Sequence, residues 1–145
     1  MSVDLRPALL RGAPYFPVTD VAATLSYYQE VVGFREEYRA GSPPEFAICS
    51  RDGCGVMLRR STEPSRIRPM ESQGGTWDAF FWVRDAEELA AEFLARGATF
   101  VYGLVVQPYG VKEFALRDLD GHVLGFGQQW PAAPTNGARP ASDPG

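Results

Sequence analysis

The apolar and polar positions of this chain follow a pattern that occurs twice. The run Ala13-Pro14-Tyr15-Phe16-Pro17-Val18-Thr19-Asp20 matches Asp78-Ala79-Phe80-Phe81-Trp82-Val83-Arg84-Asp85, each strand-like and each ending in aspartate. After both aspartates the apolar residues return at helical spacing: Val21, Leu25, Tyr28 and Val32, then Ala86, Leu89, Phe93 and Leu94. Asp20 and Asp85 are placed to cap these helices, and Asp85 with Glu88 resembles a capping box. Gly33 and Gly97 follow as C-terminal caps.

The match continues beyond the helices. Glu45-Phe46-Ala47-Ile48 aligns with Glu113-Phe114-Ala115-Leu116, Asp52-Gly53 with Asp120-Gly121, and Val56-Met57-Leu58 with Leu124-Gly125-Phe126. Several matches in one order indicate a duplication, each copy reading strand, helix, then strands joined by Asp-Gly turns. The expected organisation is an arm (1–12), a first module (13–60), a Pro- and Gly-rich linker (61–76), a second module (77–130) and a disordered tail (131–145). The fold class is α+β.

Composition narrows the partners. A chain of 145 residues with 45% apolar content can bury a real core, and 12% aromatic content is generous. A net charge of -4 argues against nucleic acid. The longest apolar runs are too short for a membrane span, and the N-terminus lacks the apolar stretch of a signal peptide, so a cytoplasmic protein is expected. Cys49 and Cys54 are then expected to be reduced thiols rather than a disulfide.

The segments APYFPVTDVAATLSYYQEVVGF and VKEFALRDLDGHVLGFGQ, taken with the repeat, resemble the vicinal-oxygen-chelate (glyoxalase/bleomycin resistance protein/dioxygenase) superfamily. The likeness spans about residues 7–130 and is nearest to its bleomycin-resistance-like binding members. It implies two βαβββ repeats whose strands curl around a cup, often in a homodimer and sometimes with exchange of N-terminal segments. Enzymes of the superfamily hold a divalent metal in the cup. The positions this implies are Ala13, Asp78 and Gly125, with Glu113 a candidate for a fourth ligand. Alanine and glycine carry no ligating atom, so no metal and no other cofactor is expected.

Side chains alternate across a strand, so those positions set the phase. The cup face then takes Tyr15, Met57, Asp78, Phe80, Trp82 and Gly125, with Gly125 and Gly127 opening room, and Tyr109 is a lid contact from the loop before the next strand. Trp77 is placed at the rim or a subunit contact. The one histidine, His122, reads as a solvated turn residue. These features point to a metal-free small-molecule binding protein that sequesters an aromatic or cationic compound, as in antibiotic resistance. The alternative is a lyase, isomerase or dioxygenase with an atypical metal site, or a catalyst using Asp78 as base.

Overall fold

The computed structural model describes residue 3 and residues 5–131. The first module runs β1 (Tyr15–Val18), α1 (Val21–Glu30), β2 (Arg35–Ala40), β3 (Phe46–Arg51) and β4 (Cys54–Arg60). The second runs β5 (Ala79–Trp82), α2 (Ala86–Ala95), β6 (Phe100–Gln107), β7 (Val111–Arg117) and β8 (Val123–Gln129). Among the described residues the strands form two four-stranded sheets, ordered β1-β4-β3-β2 and β5-β8-β7-β6. The sheets are not closed onto each other, and their equivalence is the duplication seen in three dimensions. The linker carries two short 3-10 helices, Pro64–Arg66 and Met70–Gln73. The expected tail lies outside the described residues from 132 onward.

The local signals act as their chemistry dictates. The Asp20 carboxylate accepts from the Ala23 N–H at 3.0 Å, and Asp85 accepts from Glu88 at 3.0 Å, each satisfying a first-turn donor. Gly33 and Gly97 leave their helices at φ +76° and +84°, where a side chain would clash. Asp52 and Gly53 both take positive φ, as a two-residue hairpin turn requires. The equivalent Asp120-Gly121 differs from its expected role. It sits in a longer connection between β7 and β8, with only Gly121 at positive φ.

One apolar cluster spans both modules. Phe16, Val18, Val21, Leu25, Tyr28 and Leu58 of the first join Phe93, Phe114, Leu116 and Phe126 of the second. Complete burial of such a side chain contributes roughly 1.5–3 kcal/mol. Leu94, expected with them, is exposed; it lies about 100° around the helix from Phe93. The modules also meet through polar contacts. The Tyr28 hydroxyl donates to Asp118 at 3.0 Å, Tyr27 donates to the Arg117 carbonyl at 2.8 Å, and Arg51 forks onto Glu92 at 2.7 and 2.9 Å. The helix-bearing faces of the two sheets therefore share the core. Their opposite, concave faces point away from it.

Candidate functional site

The concave face of the second sheet carries a continuous run of aromatic rings. Trp77 meets Phe80 edge-on at 4.7 Å between centroids, and Phe80 meets Trp82 at 5.1 Å. Strand alternation puts Phe81 into the core instead, against Phe126. Trp82, at the end of the run, is 68% exposed. Aromatic–aromatic contacts of this kind hold the rings rigid while leaving a large apolar surface for a ligand.

At the other end of the run lies Glu113, fully buried. The Tyr102 and Tyr109 hydroxyls donate to its two oxygens, and the Trp77 indole N–H donates to the Tyr102 oxygen at 2.9 Å. Burial, reinforced by the Glu113 carboxylate, raises the Tyr102 phenol and pushes Tyr109 up to about 12. Both phenols therefore stay protonated and donating at neutral pH. Tyr109 occupies the β6–β7 turn beside Gly110 (φ +82°) and is half exposed.

The glycines expected to open room do so for this chain's own rings. A Cβ on Gly125 would lie 2.5 Å from Phe80 Cδ2 and 2.7 Å from Trp77 Cδ1; on Gly127 it would lie 2.5 Å from Phe80 Cζ. Trp77, expected at the rim or a subunit contact, thus packs over β8. Asp78 precedes β5, where its two oxygens accept the Met70 and Val123 N–H groups at 3.0 and 2.8 Å. It ties the linker to the start of β8.

The residues at the superfamily's metal positions do not fit a divalent ion. Ala13 has no donor, Asp78 is engaged by two backbone N–H groups, and the side-chain space at Gly125 is filled by Phe80 and Trp77. Glu113 is held by two tyrosines, and among the described residues no three His, Cys, Asp or Glu side chains converge on a common point suited to a metal.

On the first sheet the equivalent face presents Tyr15, Tyr38, Phe46 and Met57. Tyr15 and Met57 are register partners on β1 and β4, and Arg59 donates to the Tyr15 hydroxyl at 2.8 Å while lying over Phe46. This face is also largely open, with Tyr15 and Tyr38 each 54% exposed.

His122 departs from its expected place. It is buried, stacked on Phe16 at 4.4 Å, with Nδ1 3.2 Å from Asp118 Oδ2. Burial alone would lower its pKa, but the hydrogen bond and charge of Asp118, helped by Asp78 and Asp120, raise it. Cys49 is buried, with its thiol pushed up to about 12 by burial, and Cys54 is exposed; both are free. A cleft of about 620 Å³ lies between the β3–β4 hairpin and the β5–α2 junction, and Trp82, the end of the aromatic run, also lines it. Within it Arg51 is paired with Glu92, and Asp85 caps α2.

The sequence pattern that defines the glyoxalase/bleomycin resistance protein/dioxygenase superfamily matches residues 12–126, nearly the whole of both modules. The chain belongs to this superfamily. Solved structures agree on the fold. TioX from Micromonospora sp. ML1 superposes with a TM-score of 0.66 at 28% identity, over 82% of this chain and 98% of its own. The bleomycin-binding protein of Streptomyces verticillus, solved with copper(II)-bleomycin, gives 0.63 at 22% identity, over 83% and 97%. TnmS3, an antibiotic binding protein from Streptomyces sp. CB03234, gives 0.62 at 20%, over 86% and 99%. No curated protein matches the chain. No helix among the described residues is long and apolar enough to cross a membrane.

Proposed function

We propose that this superfamily member is a metal-free binding protein that sequesters a flat aromatic compound on its concave face. The observation that carries this reading is the run of ring contacts Trp77–Phe80–Trp82, half-buried at Trp77 and Phe80 and exposed at Trp82, on a sheet face that no helix among the described residues covers. Sequestration needs affinity alone, so a cup without metal ligands remains competent. Structural neighbours described as bleomycin-binding and antibiotic-binding are in keeping with it. The 620 Å³ cleft is the weaker site, because its Arg51 and Glu92 already pair with each other.

The working unit in this reading is a cytoplasmic homodimer. Two concave faces point outward from one chain, so a second copy can bring a first-module face opposite a second-module face and complete a cup. The N-terminal arm supports this. Leu5, Leu9 and Leu10 are almost fully exposed in the single chain, and burial against a partner would remove that apolar surface from water.

Tryptophan-fluorescence titration with flat bicyclic and tricyclic aromatic compounds tests the assignment. The expected result is saturable quenching that weakens at least about tenfold in Trp82→Ala, in line with the loss of one buried aromatic contact. Saturable quenching that Trp82→Ala and Phe80→Ala leave unchanged would place the ligand elsewhere.

A further inference from the structure

Glu113 is chemically out of place. It stands within the strand Val111–Arg117, whose neighbours Phe114 and Leu116 enter the core, yet it turns to the concave side and is fully buried there. Its register partner on β8 is Gly127, and the Phe80 ring fills the side-chain space of that glycine. The carboxyl group thus lies beside the aromatic run rather than among the surface charges. Several other glutamates pair with Arg or Lys: Glu37 with Arg11, Glu92 with Arg51, Glu71 with Arg117, Glu87 with Lys112. The partners of Glu113 are two neutral phenols, Tyr102 and Tyr109. Phenols satisfy its lone pairs but bring no opposite charge, which leaves a buried acid costly to keep.

The two phenols are not equivalent. Tyr102 is fixed from behind by the Trp77 indole N–H and lies on a central stretch of β6. Tyr109 stands half exposed in a turn, so a change of side-chain rotamer is enough to withdraw its hydroxyl. Withdrawal uncovers one carboxyl oxygen at the end of the ring run formed by Tyr102, Trp77 and Phe80. A carboxylate bordered by aromatic faces is the chemistry that receives an ammonium group, through a charge-assisted hydrogen bond and cation–π attraction.

We infer that Glu113 is the receptor for a protonated amine carried by the aromatic ligand, with Tyr109 the hydroxyl that the amine displaces. This rests on the concave face being the binding site and names the ligand class more closely: an aromatic amine in which the cation lies beyond one edge of the ring system.

The test uses two probes of the same shape on the full-length protein, 2-naphthylmethylamine, cationic at neutral pH, and 2-naphthylmethanol, which is neutral. Affinities are read by calorimetry for wild type, Glu113→Gln and Tyr109→Phe. The amine is expected to bind at least about tenfold more tightly than the alcohol, the scale of a hydrogen bond to a charged group. Glu113→Gln should abolish that preference and leave alcohol binding in place. Tyr109→Phe should strengthen amine binding, because the competing hydroxyl is gone, without changing the alcohol. Equal binding of the two probes, or a preference that survives Glu113→Gln, overturns the inference while leaving the aromatic face as the site. Binding of neither probe overturns both. Should Glu113→Gln fail to fold, Tyr109→Phe decides, since unchanged amine affinity contradicts a displaced hydroxyl.

Discussion

Trp77 occupies the space that a side chain at Gly125 would need. A Cβ there would stand 2.7 Å from the indole Cδ1 and 2.8 Å from Nε1, well inside contact distance. The position at which metal-dependent relatives are expected to carry a ligand has become the seat of an aromatic ring. Gly125→Ala should therefore force Trp77 and Phe80 apart. The expected cost is about 1–3 kcal/mol in urea unfolding, typical of overpacking, with a shift in tryptophan emission. Wild-type stability and an unchanged spectrum would contradict the packing described.

Asp78 holds the linker to the second sheet. Asp78→Ala strands the Met70 and Val123 N–H groups, which now donate to its oxygens. A loss of about 1–3 kcal/mol is expected, chiefly from the part-buried Val123 donor, since the exposed Met70 N–H can turn to water. Asp78→Asn keeps one acceptor and should fall between the variant and wild type. A thermal melt of Asp78→Ala matching wild type would show that this clamp contributes nothing.

The His122–Asp118 pair predicts a pH dependence of stability. The pKa of His122 is raised in the folded chain above its ordinary value of 6.5, so folding favours the protonated ring. That contribution is complete below the unfolded pKa and is lost as pH rises through the folded one. The melting-temperature advantage of wild type over His122→Gln should accordingly be greatest near about pH 5.5 and shrink steadily above 6.5. An advantage that grows with pH would reverse the assignment of sign.

Much of this architecture is legible in the sequence because it depends on local signals. Asp20 and Asp85 announce helix starts, Gly33 and Gly97 announce their ends, and the alternation Phe80–Phe81–Trp82 sorts the two faces of β5 without reference to anything distant. What escaped the sequence depends on contacts between remote segments. His122 reads as a solvated turn residue because nothing nearby in the chain shows that Phe16 will cover it. The partnership of Glu113 with Tyr102 is hidden for a different reason. The pairing of β6 with β7 shifts register on both sides of Tyr102, so simple alternation cannot predict which face that tyrosine takes. The available signal was alternation: Glu113 falls on the face of Val111 and Ala115, opposite the core residues Phe114 and Leu116. The rings over Gly125 were half legible: the missing side chain is plain, but not that Trp77 fills the gap.

The most direct measurement of the central claim is equilibrium dialysis of the purified protein against 2-naphthylmethylamine and a panel of polycyclic aromatic antibiotics, with the retained compound recovered and weighed by mass spectrometry. At least one compound should be retained in stoichiometric amount by protein treated with a chelator, be recovered chemically unchanged, and be lost in both Trp82→Ala and Phe80→Ala, of which only Trp82 also lines the cleft. Recovery of a converted product, or retention indifferent to either substitution, would contradict a protein that works by holding its ligand on this aromatic face.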